Sequence, residues 1–397
     1  TEHRVAQEVK NDGYMNHYLL SSRFGEFEAV GYPMLQRRIH EIYALALLEE
    51  HSSTKVAVET GKEVGTKVAE STVKGVKKLG AMASDPEELA STLSSVPGGV
   101  VNLFHFAADT VGTGVEYVSA TGKEMMAGSD ESGGQEGAGG KLTQKAGELA
   151  LQYSGYSKAS AKWAKELEID PYTENELLQA EIRRVATVEA TVGFAGRFTP
   201  KPPSIPGVNE ANKWLNTLEG VSLYDDPAKI AELNLKVLES LGMSEDEVLR
   251  FAGNEHYTPT TRTLLLSGIK SLEGVEKSGD LLILASAAKS SAGAWYYVHA
   301  VQQLSRFHQK RPFTSIVTDL TIPSAITKSG HYVVPLPVDH LVWTEDVAAI
   351  FTDAHEMVGR VFTIGSSEVV VAGTVSSRSL KELEKQGFNV AQERGYE

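Results

Sequence analysis

A chain of 397 residues, 41% hydrophobic and 23% charged, has room for two or three modules and a composition that excludes wholesale disorder. Its formal net charge of −14 argues against general nucleic-acid binding, because phosphate contacts need a clustered basic surface. The absence of cysteine removes disulfides, thiolate metal sites and thiol nucleophiles together. It suits an exported bacterial protein, periplasmic or extracellular, and a chain beginning at Thr1 fits a cleaved signal peptide.

Residues 14–32 read as a β-hairpin, with Met15 to Ser22 and Glu26 to Tyr32 as strands around the break Arg23, Phe24, Gly25. A helix follows, in which Leu35, Ile39, Ile42, Tyr43, Leu45 and Leu47 share one broad face and Arg37, Arg38, Glu41, Glu49 and Glu50 form the polar one.

The stretch Thr54 to Gly80 sorts its side chains by helical period. Gly61, Val64, Gly65, Val68, Val76 and Leu79 fall on one half of the circumference, and all six lysines and three glutamates fall on the other. Gly61 and Gly65, four apart, would let another backbone approach closely, and the valines and Leu79 would pack beside them. The lysines could instead face anionic headgroups, although a face without Trp or Phe would insert shallowly. These residues are the candidate partner-binding surface; packing against the chain's own core is the competing structural explanation.

Asp85, Pro86 and Glu88 start a short helix ending near Ser95, and a weakly amphipathic helix is expected over about Val101 to Met126. Six glycines between Gly128 and Gly140 mark a flexible linker, and GGQEGAGGK lacks the spacing of a phosphate-binding loop, so no cofactor is expected. From Lys141 to Phe198 two helices meet at Ile169, Asp170, Pro171, with Thr173 and Glu176 as a capping box for the second. A stiff connector with Pro200, Pro202, Pro203 and Pro206 leads to helix starts at Asp226–Pro227, Ser244 with Glu247, and Thr258–Pro259. A long helix over about Gly279 to Lys310 carries the aromatic cluster Trp295, Tyr296, Tyr297 and His299, which could line a ligand cavity but more simply belongs to a core. No stretch reaches the roughly eighteen consecutive apolar residues of a membrane span; Leu281 to His299 is interrupted by Lys289 and serines.

After residue 310 the pattern changes. Ser315 to Ile326 and His331 to Leu336 read as strands around the turn Lys328, Ser329, Gly330. Glu368 to Ala372 is another strand, Ser376 or Ser377 caps a helix through Gln386, and Phe388 to Val390 closes as a strand. The predicted fold is thus α+β and mainly α: an N-terminal β-hairpin plus amphipathic helices (residues 1–127), a Gly-rich linker (128–140), a helical middle domain (141–310) and a small mixed α/β C-terminal module (311–397).

Asp339, His340, Asp353, His355 and Glu356 are the densest set of possible metal ligands, but their spacing matches no metal motif, and Gly359 stands where HExxH needs its second histidine. No metal is therefore assigned. Gly365, Ser366, Ser367 and Glu368 do not complete a G-x-S-x-G elbow. The passage Ala372 to Ser377 could place an anion at a helix start, though a plain serine cap explains it.

The segments GYMNHYLLSSRFGEFEAVGYPMLQRRIHEIYALALLE, DPYTENELLQAEIRRVA and VAGTVSSRSLKELEKQGFNV resemble parts of an uncharacterised family of secreted proteobacterial proteins. That resemblance implies export and brings no activity. The Lys/Glu/Val/Thr/Gly texture of residues 54–80 is similar to the eleven-residue repeats of late-embryogenesis-abundant proteins. The expectation is an exported, non-enzymatic structural or interaction protein acting through amphipathic-helix contacts with a protein partner or an envelope surface, with oligomers compatible and nucleic acid not. The alternative is a hydrolase or small-ligand-binding enzyme using the C-terminal module, with His340, Asp353 and His355 tested first.

Overall fold

The computed structural model describes residues 3–59, 157–192, 208–219, 221–317, 322–352 and 354–393. The short helix from Asp85, the helix over 101–126, the Gly-rich linker and all six candidate partner-binding residues lie outside these. The expected N-terminal hairpin forms from β3 (Asn16–Ser22) and β4 (Gly25–Val30), paired antiparallel. It sits inside a four-stranded sheet, because β1 (His3–Val5) and β2 (Lys10–Asn11) also pair with β3. Helix α1 (Tyr32–Glu59) then crosses the sheet and buries Leu35 and Ile42 against Leu20 and Ala29. Further along, Ala44, Leu45 and Leu48 enter the largest core of the molecule.

That core is built by successive short helices: α2 (Lys158–Glu166), α3 (Glu176–Val192), α4 (Val208–Glu219), α5 (Pro227–Ser240), α6 (Glu245–Ala252), α7 (Pro259–Lys270), α8 (Asp280–Ala285) and α9 (Ser291–Lys310). Their starts follow local chemistry. Asp226 caps α5 with Pro227 in its first turn, Ser244 and Glu247 form a reciprocal capping box on α6, and Thr258 caps α7. Two expected elements differ. The Asn175 side chain, not Thr173, accepts the Leu178 N–H at the start of α3, because the Thr173 hydroxyl donates to Glu41 and accepts the Asn175 N–H. The long helix expected over 279–310 is broken between α8 and α9, where Ser290 caps α9 and Asn254 Nδ2 donates to the freed carbonyls of Ser286 and Ala288.

The C-terminal part is a five-stranded sheet in the order β11-β9-β7-β6-β5, from β5 (Phe313–Val317), β6 (Ser324–Thr327), β7 (His331–Leu336), β9 (Ser366–Val371) and β11 (Phe388–Gln392). The single strand expected over 315–326 is instead the antiparallel pair β5 and β6. Strands β7, β9 and β11 run parallel, joined by crossovers containing α10 (Glu345–Thr352), α11 (Ala354–Gly359) and α12 (Ser377–Lys385). A parallel pair of two residues each, β8 (His340–Leu341) and β10 (Thr374–Val375), lies beyond the strand ends.

The sheet is covered on both faces, which is why its central strands read as continuous apolar runs. Val333 and Val370 join the helical core on one face, while Tyr332, Val334, Val369 and Val371 pack with Val347, Phe351, Val358 and Leu383 on the other. The mainly helical α+β description is therefore corrected: the described residues carry eleven strands in three sheets. The N-terminal hairpin is part of a larger sheet, and the C-terminal sheet shares a core with the middle helices rather than forming a small module beside them.

Candidate functional site

Two polar clusters fix the foot of α1. At its first turn, the buried Asp339 accepts the backbone N–H of Tyr32 at 2.9 Å and of Asn16 at 3.1 Å. A carboxylate here meets both the orphan donors and the positive end of the helix dipole. Burial pushes the Asp339 carboxyl above its usual range, against the two N–H donors that favour its ionised form. Residues 11–16 run beside residues 339–342, beyond the carboxyl end of β7: Tyr14 O accepts from Asp339 and His340 N–H, Gly13 O accepts from Val342 N–H, and Asn11 Nδ2 donates to His340 O. Gly373 lets the chain after β9 pass close to the chain after β7, since a Cβ there would lie 2.0 Å from Asp339 O. Parallel sheets take ligands in the crevice outside these strand ends. In this chain its own N-terminal segment occupies that place.

One turn into α1, charges that the sequence pattern placed on the solvent side are buried instead. Arg37 Nη1 donates to Asp170 Oδ2 at 2.9 Å, and Asp170 Oδ1 accepts from Thr260 Oγ1 and Tyr172 N–H. Arg38 Nη1 donates to Glu41 Oε2 at 2.6 Å, and Glu41 also accepts from Thr173 Oγ1 and Asn175 Nδ2. Burial alone would raise the Glu41 carboxyl, but Arg38 and the two neutral donors hold it below the usual carboxylate range. Two guanidiniums and two carboxylates balance, and each carboxylate accepts from at least three donors. The set is a structural staple between α1, the 170–175 turn and α7.

The aromatic cluster of α9 closes over this staple. The Arg37 guanidinium lies 4.0 Å from the Trp295 ring centre, and Trp295 stacks on His299 at 5.4 Å. Burial, aided by Arg37 and Arg306 and opposed by Gln302, pushes the His299 imidazole down to about 4. One turn on, Gln303 is 2% exposed; neither its amide atoms nor His299 Nε2 finds a partner among the described residues. Burial raises the Tyr296 and Tyr297 hydroxyls. These aromatic residues are packed against Arg37 and the two large cores.

Of the sequence-derived metal set, only the side chains of Asp339 and His340 lie among the described residues. Asp339 caps α1, and His340 Nδ1 lies 2.7 Å from Thr374 Oγ1. Asp353 and the side chains of His355 and Glu356 lie outside the described residues, among which no group of three or more histidine, aspartate or glutamate side chains could hold a metal ion. Ser376 accepts the Ser379 N–H as an ordinary cap of α12. A cavity of about 20 Å³ between α5 and α7, lined by Asn234 and Arg262 among apolar side chains, has room for one water.

Sequence periodicity missed the burial of Arg37, Glu41 and Asp170. The available signal was the run Asp170, Thr173, Asn175, where turn-forming polar residues crowd between two apolar helices. Compared with protein-family models, curated proteins and solved structures, the chain matches none.

Proposed function

We propose that this is an exported interaction protein that presents the charge-sorted stretch 54–80 to a protein partner or an envelope surface. The observation that carries this reading is the footing of α1. The helix is capped by Asp339, stapled through Arg37 and Glu41, and runs unbroken to Glu59, so residues 54–59 of the stretch are already helical. A braced helix holds residues 54–59 in place, which spares them the entropy cost of ordering on binding. The filled crevice at the strand ends further favours a binding role over chemistry at that position.

Deleting residues 61–80, beyond the end of α1, is expected to abolish association with a native envelope fraction and with anionic liposomes while the far-UV circular dichroism of the remaining helices is retained. Unchanged association in both assays overturns the reading. Two variants then separate the sources. Gly61→Leu with Gly65→Leu blocks close helix packing and removes a protein contact, whereas Lys62→Gln, Lys67→Gln and Lys74→Gln weaken attraction to anionic lipid.

A further inference from the structure

At the opposite end of the five-stranded sheet from the filled crevice, strand register assembles a serine, a histidine and a carboxylate that lie 35 and 37 positions apart in sequence. His331 opens β7 and pairs with Ser366, which opens β9; Glu368, two residues on, projects to the same side as Ser366. His331 Nδ1 is 2.7 Å from Ser366 Oγ, and His331 Nε2 is 3.0 Å from Glu368 Oε2. The turn before β7 makes the strand ends meet. Gly330, at φ +77°, passes so near Thr363 that a Cβ would lie 2.4 Å from its carbonyl oxygen, and Gly330 O accepts the N–H of both Gly365 and Ser366.

An ionised Glu368 selects the tautomer that carries its proton on Nε2, which leaves the Nδ1 lone pair aimed at the serine hydroxyl. Nucleophile, base and orienting acid are therefore all in place. The nitrogens are used in the opposite sense to the serine-protease arrangement, where serine bonds Nε2 and the acid bonds Nδ1. Either nitrogen can accept a proton.

We propose that Ser366 is an activated nucleophile that accepts acyl groups from small, reactive esters, with His331 as general base and Glu368 as its positioning residue. The Ser366 Oγ lone pair forms a bond to the ester carbonyl carbon as its proton passes to His331 Nδ1. The tetrahedral adduct collapses, the carbon–alkoxide bond breaks, and the alcohol leaves with the proton from His331. A water that gives its proton to Nδ1 then attacks the acyl-serine; the serine oxygen leaves, recovers that proton, and a carboxylic acid is released. One ester and one water give one acid and one alcohol.

Ser366 is exposed at the strand start, which suits short acyl groups. Because the Gly365 and Ser366 N–H groups are committed to Gly330, neither is available to stabilise an oxyanion. Activation thus rests on the base, a factor of about 10²–10⁴. This reactivity is independent of the reading of residues 54–80, and either can fail alone.

The test treats the full chain with a fluorophosphonate probe and with p-nitrophenyl acetate and locates adducts by peptide mass. Ser366 should react at least about 10²-fold faster than the exposed Ser21 of β3 within the same wild-type sample, a comparison that needs no variant. Ser366→Ala should remove the adduct, and His331→Gln should slow it to the rate of Ser21. Glu368→Gln should slow labelling of Ser366 at least about 10-fold and Glu368→Asp should restore part of it, with both thermal midpoints near that of wild type, a rescue that loss of packing would not produce. Equal reaction of Ser366 and Ser21, or unchanged labelling of a folded His331→Gln protein, makes the cluster a cross-strand polar ladder only and overturns the proposal.

Discussion

Acidification should weaken the fold through His299. In the folded chain its imidazole is pushed down to about 4, against 6.5 for an ordinary histidine, because burial and two arginines disfavour the charged ring. An unfolded chain therefore takes up this proton before the folded one does, so stability is fully present above about pH 6.5 and is lost as pH falls towards 4. The difference of about 2.5 units corresponds to at most about 3 kcal/mol, of which roughly 2 kcal/mol is gone by about pH 5. Glu41, held below 4.5, contributes its own loss only at still lower pH, while His40, also pushed down by burial, titrates in the same window in both proteins and cancels from their difference. The measurement is the unfolding free energy from urea titrations at several pH values for wild type and His299→Gln. The two proteins share every other titrating group, so their difference isolates this ring. Wild type should lose about 2 kcal/mol more than the variant across the window. Parallel curves would refute both the depressed ionisation and the packing of Trp295 and Arg37 that causes it.

Two further outcomes follow from the footing of α1. Arg37→Met leaves Asp170 buried without its cation and should cost about 3–5 kcal/mol, while adding Asp170→Leu should recover part of it; strictly additive losses in thermal melts would mean that the pair is not coupled. Gly373→Ala places a methyl 2.0 Å from Asp339 O and should lower stability by at least about 2 kcal/mol, with a wild-type melting temperature counting against the close approach of Gly373 to Asp339.

The elements that the sequence announced are those whose chemistry is local. Ser244 with Glu247, Asp226 with Pro227, and Thr258 with Pro259 each carry their start signal within three residues, and β7 is bounded by its own turn. Strands β1 and β2, three and two residues long, are too short for a period to register and exist only through β3. The polar partners that matter most are non-local. Arg37 and Asp170 are 133 positions apart, and amphipathic periodicity assigns an arginine on α1 to solvent until the 170–175 turn supplies a buried counter-charge. His340 and Asp339 looked like metal ligands because residue type was visible while orientation was not; the structure uses one for Thr374 and the other for a helix start. Ser366 and His331 belong to different sequence motifs, and only parallel register joins them.

The carboxylate at the start of α1 also has a consequence in time. Asp339 lies 307 positions after Tyr32, so at translation rates of about 5–20 residues per second it leaves the ribosome roughly 15–60 s after the helix it anchors. Through that interval the four-stranded sheet and α1 must exist without their anchor or with a substitute such as a chaperone. Nascent chains halted before residue 339 should remain sensitive to protease near Tyr32, and lengthening them past it should close the site.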